Sequence, residues 1–444
     1  MYKAQVNINL IVIILACIDK NMSGTVDWKP LELQFQKVHK LFINLEANEK
    51  RLFTEHFIKV YKHVTESMGG IDEFFTKVFK RQQLAGSYAD RIKVGQPNEY
   101  DSLMILDFPD PIVEKSRPGF VKINVRDGIK LKWSTIEEKN YKTLIDNDGY
   151  LLQDKVLGWL RNLIYDVVKN SNSVFRIGKS EYSVKHSSNG PAVTLDLTIT
   201  KCEHGTTGHF SIDFVGALAF DFQKKWFADF TPPFLTSKNW NAIAKPSKTV
   251  KKQNQEWTCS YADIEREYLR DTQTLKQLIR IFKKIRDTHS LTNLKSYYIK
   301  VIFLHQRKKQ DNDYWKKSLG VLFSEMFDIL LKTLEQGKLM SFWHKEYNMF
   351  GELEKSQITD MFNKLKKIKD KINKSLVDKQ PENILSVILT EKELKKLEVS
   401  SNGNTLSAAT TSASDVTCKV NEVKSCTVSQ HLNKKTMAKL QISS

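Results

Sequence analysis

The sequence predicts an α+β chain in two lobes: a mixed β-sheet lobe entered through a long N-terminal helix, and a second lobe that is all helical. Three observations lead there. Of 444 residues, 41% are hydrophobic and 10% aromatic, which supplies a large core and excludes a disordered chain. Strand-like segments are interspersed with helical ones between residues 99 and 220. After Thr231-Pro232-Pro233 the texture changes, and the stretches 261–287, 291–305, 314–336 and 355–375 all carry helical periodicity.

The first element runs from Trp28 to Met68, where apolar residues such as Leu33, Phe35, Val38, Leu41, Phe42 and Leu45 recur every three or four positions and predict one amphipathic helix, kinked near Asn48. Its other face carries Lys37 and Lys40 among several lysines, but Glu46, Glu49, Glu55 and Glu66 dilute them, so solvated and phosphate-contacting readings stand level. Gly69-Gly70 should break this helix, with a second following through Phe79. Strands are expected at 99–108, 119–125, 129–134, 192–200 and 209–220, and a helix at 151–169. The units are then 1–27, an extension that translation from Met22 would largely omit; 28–230, the sheet lobe with its long helix; 231–375, the helical lobe; and 376–444, a mostly disordered Ser/Thr-rich tail.

Lys and Arg number 69 against 51 Asp and Glu, a net charge of +18 that favours a polyanionic partner. Five cysteines without CxxC spacing argue against a disulfide framework and a zinc cluster, and point to a reducing compartment. The apolar run Leu10–Ile18 is far shorter than the ~20 residues that span a bilayer. It could serve as a signal-peptide core behind Lys3, but cysteine usage and the chemistry below favour a cytoplasmic protein with no membrane partner.

The chemistry concentrates around Leu84-Ala85-Gly86-Ser87-Tyr88-Ala89-Asp90, which opens a short helix before the 99–108 strand. Gly86 lets a phosphate approach the backbone, and the Ser87 hydroxyl with free helical amides can cradle it; alone, Gly-Ser is usually an ordinary turn. Glu99 and Asp101 lie two apart on a strand and so share a face, where like charges are costly unless a cation joins them. Asp213 sits in the apolar strand Phe210–Leu218, where the alternatives are a metal ligand or a core aspartate capping a turn. Together these residues resemble a nucleotidyltransferase constellation, in which three carboxylates hold two divalent ions and the protein contributes positioning.

The run from Gly86 to Pro109 is similar to the active-site stretch of cyclic GMP-AMP synthase and the cyclic GMP-AMP synthase-like receptors. The similarity resumes at Pro191–Leu195, at the Asp213 strand, at Trp257 with Ile264-Glu265-Arg266-Glu267, at Lys295–Lys300 and at Glu346–Phe350, covering roughly residues 30–375. It implies a bilobed nucleotidyltransferase fold whose long N-terminal helix is a spine. Gly86 and Ser87 would hold a donor triphosphate, and Glu99, Asp101 and Asp213 would bind Mg²⁺, with Mn²⁺ a second option. Glu265, Lys276 and Ser296 would contact nucleotide, and Tyr297 would stack on a base; the plainer readings are a solvated Lys276 and a core Tyr297. ATP and GTP would be joined into cyclic GMP-AMP, a second messenger of innate antiviral signalling.

Two departures qualify the resemblance. Vertebrate synthases carry a zinc thumb of His and Cys before the next helix, whereas Tyr268–Thr274 holds neither residue type, so no zinc is expected. Thr258 replaces a base-contacting arginine, which leaves the base selectivity and the product's linkage open. Between residues 272 and 310 ten basic residues face only Asp287, the footprint of phosphate-backbone binding, with Lys283, Lys284 and Arg286 as the leading contacts alongside Lys37 and Lys40. By analogy with thumbless receptors, double-stranded RNA is favoured over DNA as activator, and an RNA-induced dimer is admitted. The rival readings are a terminal RNA nucleotidyltransferase and a non-catalytic nucleic-acid-binding pseudoenzyme.

Overall fold

The computed structural model describes residues 27–397 apart from 45–46, 129–140, 204, 206, 225, 233–235, 238 and 246–253. The expected strand at 129–134, the apolar run Leu10–Ile18 and the tail past Val399 lie outside the described residues.

The N-terminal helix is interrupted. Helix α1 (Lys29–Val38) passes into a π-helical turn, His39–Ile43, closed by Asn44 N–H donating to the His39 carbonyl (2.7 Å), and α2 (Ala47–Ile71) follows. The break thus precedes the expected kink at Asn48. Gly69 and Gly70 do not end α2, because Asp72 does: its carboxylate accepts from the amides of Phe74 (2.8 Å) and Phe75 and caps α3 (Glu73–Val78).

The chain then alternates between strand and helix. In order come β1 (Phe79–Ala85), α4 (Gly86–Ala89), β2 (Glu99–Leu106), β3 (Ile112–Arg117), β4 (Phe120–Asn124), α5 (Gln153–Asn170), β5 (Val174–Ile177), β6 (Ser180–Asn189), β7 (Ala192–Lys201) and β8 (Gly208–Asp221). The last two strands are β9 (Asn239–Ile243) and β10 (Trp257–Ser260). All ten strands form one mixed sheet, with β2 running parallel to β8 and antiparallel to β1. Because β9 pairs with β8, and β10 with β4 and β9, the sheet lobe extends well past residue 231. These two strands are short, and the helical periodicity around them hides their alternation.

Alternation along β2 and β8 sorts their side chains between two layers. Tyr100 and Phe214 point to α2, where Tyr100 stacks on Phe57 (4.3 Å between centroids) and Phe214 on Tyr61 (5.3 Å). The opposite face carries Leu103, Ile105 and Ala217 in a small core with Ala85, sealed by Ala262. Asp101 and Asp213 are the next residues outward on that second face.

The helical lobe comprises α6 (Ala262–Tyr268), α7 (Gln273–Thr288), α8 (Ser296–Lys309), α9 (Leu319–Glu335), α10 (Lys355–Val377) and α11 (Asn383–Ile388). Helix α7 is its centre, packed against α8, α9 and α11. Residues 376–394 belong to this lobe rather than to a tail, since Ile384, Val387, Ile388 and Leu389 are buried and Glu393 pairs with Lys284. Residues up to Leu394 cluster as one compact unit.

Candidate active site

The register of β2 on β8 pairs Glu99 with Ser211 and Asp101 with Asp213, so the two aspartates stand side by side on one face, with Glu99 two residues along. Gly86, at φ +68°, makes room for them. A Cβ there would lie 1.7 Å from Asp101 Oδ2, so any other residue would displace the carboxylate. Helix α4 opens at this glycine and brings Ser87 to the same cleft.

Charge in this corner is unevenly matched. The Lys93 ammonium donates to Glu99, and although burial works against the charge, Lys93, Lys283 and Arg286 hold the Glu99 carboxyl below its ordinary value. Burial, with the charges of Glu99 and Asp213, pushes Asp101 up to about 6. Asp213 is raised chiefly by burial, offset by the Thr194 hydroxyl donating to its Oδ1 (2.6 Å). Two adjacent carboxylates that repel each other form a hard oxygen donor set suited to a divalent cation. Glu99 is turned to Lys93, and among the described residues no three acidic, His or Cys side chains converge on one point.

The opposite wall carries the cations Lys283 and Arg286, beside the acidic Asp287 and Glu265. The cleft, about 700 Å³, runs between the sheet and the helical lobe and is lined by Glu99 and Asp101 on one side and Lys283, Arg286, Ser296 and Tyr297 on the other. Lys283 is buried, donates to the Ile92 carbonyl (3.0 Å), and is pushed down to about 8 by burial and then by Lys93 and Arg286. Arg286 donates to Ser296 and Asp287. Cations crowded together in this way are relieved by an anion.

Glu265 is an anchor here. It is buried and accepts from Tyr297 OH (2.7 Å) and Trp343 Nε1 (2.7 Å), while Lys300 Nζ lies 2.6 Å from its second oxygen. Lys300 also pairs with Asp90 at 2.5 Å, at the end of α4. Burial opposes the Lys300 charge, yet Asp90 and Glu265 hold it above the ordinary lysine value. Tyr297 keeps 43% of its surface exposed, so its ring forms part of the cleft wall and is not core.

Several expected residues fall elsewhere. Lys276 is buried and donates to the Arg270 carbonyl (3.0 Å) outside the lining of the cleft, so it is not solvated. Asp213 lies beside Asp101 but is not itself a lining residue. The triplet expected to contact nucleic acid is divided between two places. Lys283 and Arg286 line the cleft, and Lys284 is buried against Glu393 (2.6 and 2.7 Å), because α7 is covered by its neighbours instead of presenting a solvated face. Lys37 and Lys40 are exposed on the N-terminal helical segment. Sequence reasoning assigned no role to Lys93, Asp90 or Thr194 and counted Lys300 only as surface charge. Lys93 and Asp90 were within reach, since both lie inside the Gly86–Pro109 run.

A model described as the Mab-21 protein nucleotidyltransferase domain matches residues 88–271, and one described as the Mab-21 protein HhH/H2TH-like domain matches 274–367. A cyclic GMP-AMP synthase-like receptor of Microplitis demolitor is 32% identical over 379 residues, 83% of this chain and 69% of the relative. Cyclic GMP-AMP synthase-like receptor 1 of Drosophila melanogaster is 32% identical over 305 residues, 66% of this chain and 79% of the relative. A cyclic GMP-AMP synthase-like receptor of Tribolium castaneum is 28% identical over 378 residues, 81% of this chain and 92% of the relative.

Proposed function

The chain belongs to the cyclic GMP-AMP synthase-like receptor family, a nucleotidyltransferase domain followed by a helical Mab-21 domain, and from that membership we propose that it is a cytoplasmic sensor of double-stranded RNA that joins ATP and GTP into cyclic GMP-AMP for innate antiviral signalling. The observation that carries this reading is the polarity of one cleft: carboxylates on the sheet wall oppose Lys283 and Arg286 on the helical wall, the charge pattern a metal–triphosphate complex requires.

Asp101 and Asp213, with Glu99, are the residues that would hold magnesium or manganese; their all-oxygen donor set, and the raised pKa of the two aspartates, whose charges lack a cation, fit such an ion. When bound, the ion supplies neutralisation of the triphosphate and activation of the attacking hydroxyl. Gly86 and Ser87 cradle phosphate oxygens, and Lys283 and Arg286 gain an anion that relieves their mutual repulsion. Tyr297, its hydroxyl fixed by Glu265, offers a face to a base, and Thr258 lines the same cleft. Two successive transfers each join a ribose hydroxyl to an α-phosphorus and release pyrophosphate. RNA is favoured over DNA by analogy with thumbless receptors, since the short interval between α6 and α7 holds neither His nor Cys for a zinc thumb; Lys37 and Lys40 are exposed for contact with either backbone.

Incubation of the full chain with ATP, GTP, Mg²⁺ and long duplex RNA should yield a phosphatase-resistant cyclic dinucleotide, identified by mass spectrometry and nuclease mapping. Linear oligomers, primer extension, or equal stimulation by duplex DNA would overturn this assignment in whole or in part.

A further inference from the structure

A second polar cavity, about 340 Å³, lies where α1 and the π-helical turn meet α7 and the start of α9. Apart from Leu319 its described lining is polar: Glu32, Gln36, His39, Lys40, Asn44 and Gln277. His39 is only 7% exposed, yet both its ring nitrogens are buried without a hydrogen-bond partner. A buried polar group left this way costs stability unless something satisfies it. Arg280 of α7 stands just outside this lining: its Nη1 donates to Asn44 Oδ1 (3.4 Å), and its Nε is likewise buried and unpartnered.

The donors decide what fits. Burial, then the Arg280 charge, lowers His39 to about 4, so at neutral pH it is uncharged and offers one N–H and one lone pair. Arg280 and Lys40 add fixed positive charge, which excludes a metal cation. Gln36, Asn44 and Gln277 supply neutral amides at the rim. Glu32, the one carboxylate, is turned to the Gly320 amide (3.3 Å) and so is partly occupied. A tetrahedral oxyanion accepts from several donors at once, and His39, Lys40 and three amides border this cavity, with Arg280 behind Asn44.

We propose that this cavity is a phosphate seat, separate from the catalytic cleft, in which His39, Arg280 and Lys40 grip one phosphate group. The group could belong to a nucleic-acid backbone or to a free phosphate ligand; the chemistry is shared. Helix α7 carries Arg280 at this seat and Lys283 and Arg286 in the cleft, so one helix borders both. The seat does not depend on the cyclic-dinucleotide reading, because it can be read without turnover.

The test is a titration of the ¹⁵N-histidine-labelled full chain with inorganic phosphate, following the His39 imidazole by NMR, so that phosphate bound in the cleft does not register. A saturable His39 shift is expected, with the midpoint raised at least tenfold in Arg280→Gln. No shift, or an unchanged midpoint in Arg280→Gln, overturns the proposal. His39→Leu, which removes a side chain that makes no bond, should melt at or above the wild-type temperature; a lower melting temperature would show that the imidazole serves structure alone and would also overturn it. Duplex RNA then separates the sources: competition with phosphate at His39 identifies a backbone phosphate, and lack of competition identifies a free ligand.

Discussion

Within one cleft, Asp90 and Glu265 share the Lys300 ammonium, whereas Asp101 and Asp213 stand beside each other while the Lys93 ammonium is bonded to Glu99 instead. The first cluster is the better matched: both carboxylates reach the Lys300 ammonium, Arg266 lies 3.9 Å from Asp90, and Glu265 has two further donors. The second is open, and burial with mutual repulsion drives both aspartates toward protonation. Matched charge holds the lobes together, and unmatched charge marks where a ligand must bring its own. A catalytic site that is destabilised until loaded is the expected trade between stability and activity.

The strongest way to break this contrast is Asp101→Asn or Asp213→Asn. Synthesis should fall at least a thousandfold, about 4 kcal/mol of transition-state stabilisation. The fold should gain roughly 1–2 kcal/mol, read from denaturant unfolding, because a repelling charge is removed. A loss of stability would mean the pair is structural. Next, Lys300→Met strands two buried carboxylates and should cost about 3–5 kcal/mol in the same assay. Adding Asp90→Asn and Glu265→Gln should recover most of that loss, since the cluster is then neutral throughout.

The pH profile sharpens the comparison further. Asp101 takes up a proton as pH falls through about 6, and Lys283 loses one as it rises through about 8, so kcat/KM should trace a bell between these limits, tenfold per pH unit outside them. The linked stabilities run as follows. Asp101, raised in the fold, contributes stability at low pH that is lost as pH climbs to about 6; Lys283, lowered in the fold, costs stability at neutral pH, a cost relieved as pH rises past about 8. The smallest effect is expected at Tyr297. Tyr297→Phe keeps the ring and should change nucleotide KM less than about threefold, whereas Tyr297→Ala should weaken binding by about 1–3 kcal/mol.

Much of this was legible in the sequence where periodicity and chemistry coincide. The alternation around Tyr100 places Glu99 and Asp101 on one face, and Gly86 with Ser87 opens the short helix expected of it. Legibility failed where a residue's meaning depends on what covers it. Lys283 and Lys284 look like a basic surface, but α7 is enclosed by α8, α9 and α11, and the lysines turn inward to a backbone carbonyl and to Glu393. Lys300 was invisible as a bridge because its partners lie 35 and 210 positions away along the chain. The strands at 239–243 and 257–260 were missed because each is only five or four residues long and takes its place from the strands beside it, β8 for the first and β4 and β9 for the second, not from its own pattern.

The π-helical turn at His39–Ile43 holds one residue more than an α-helical path would, and that surplus works as an angular offset between the segments on either side. Removing a single residue there would swing α1 by about 100° about its own axis relative to Asn44, where the turn ends. Leu31, Phe35 and Val38, all fully enclosed, would be carried toward solvent while Leu33 rotated inward. Length variation in this stretch should therefore be tolerated far less readily than substitution.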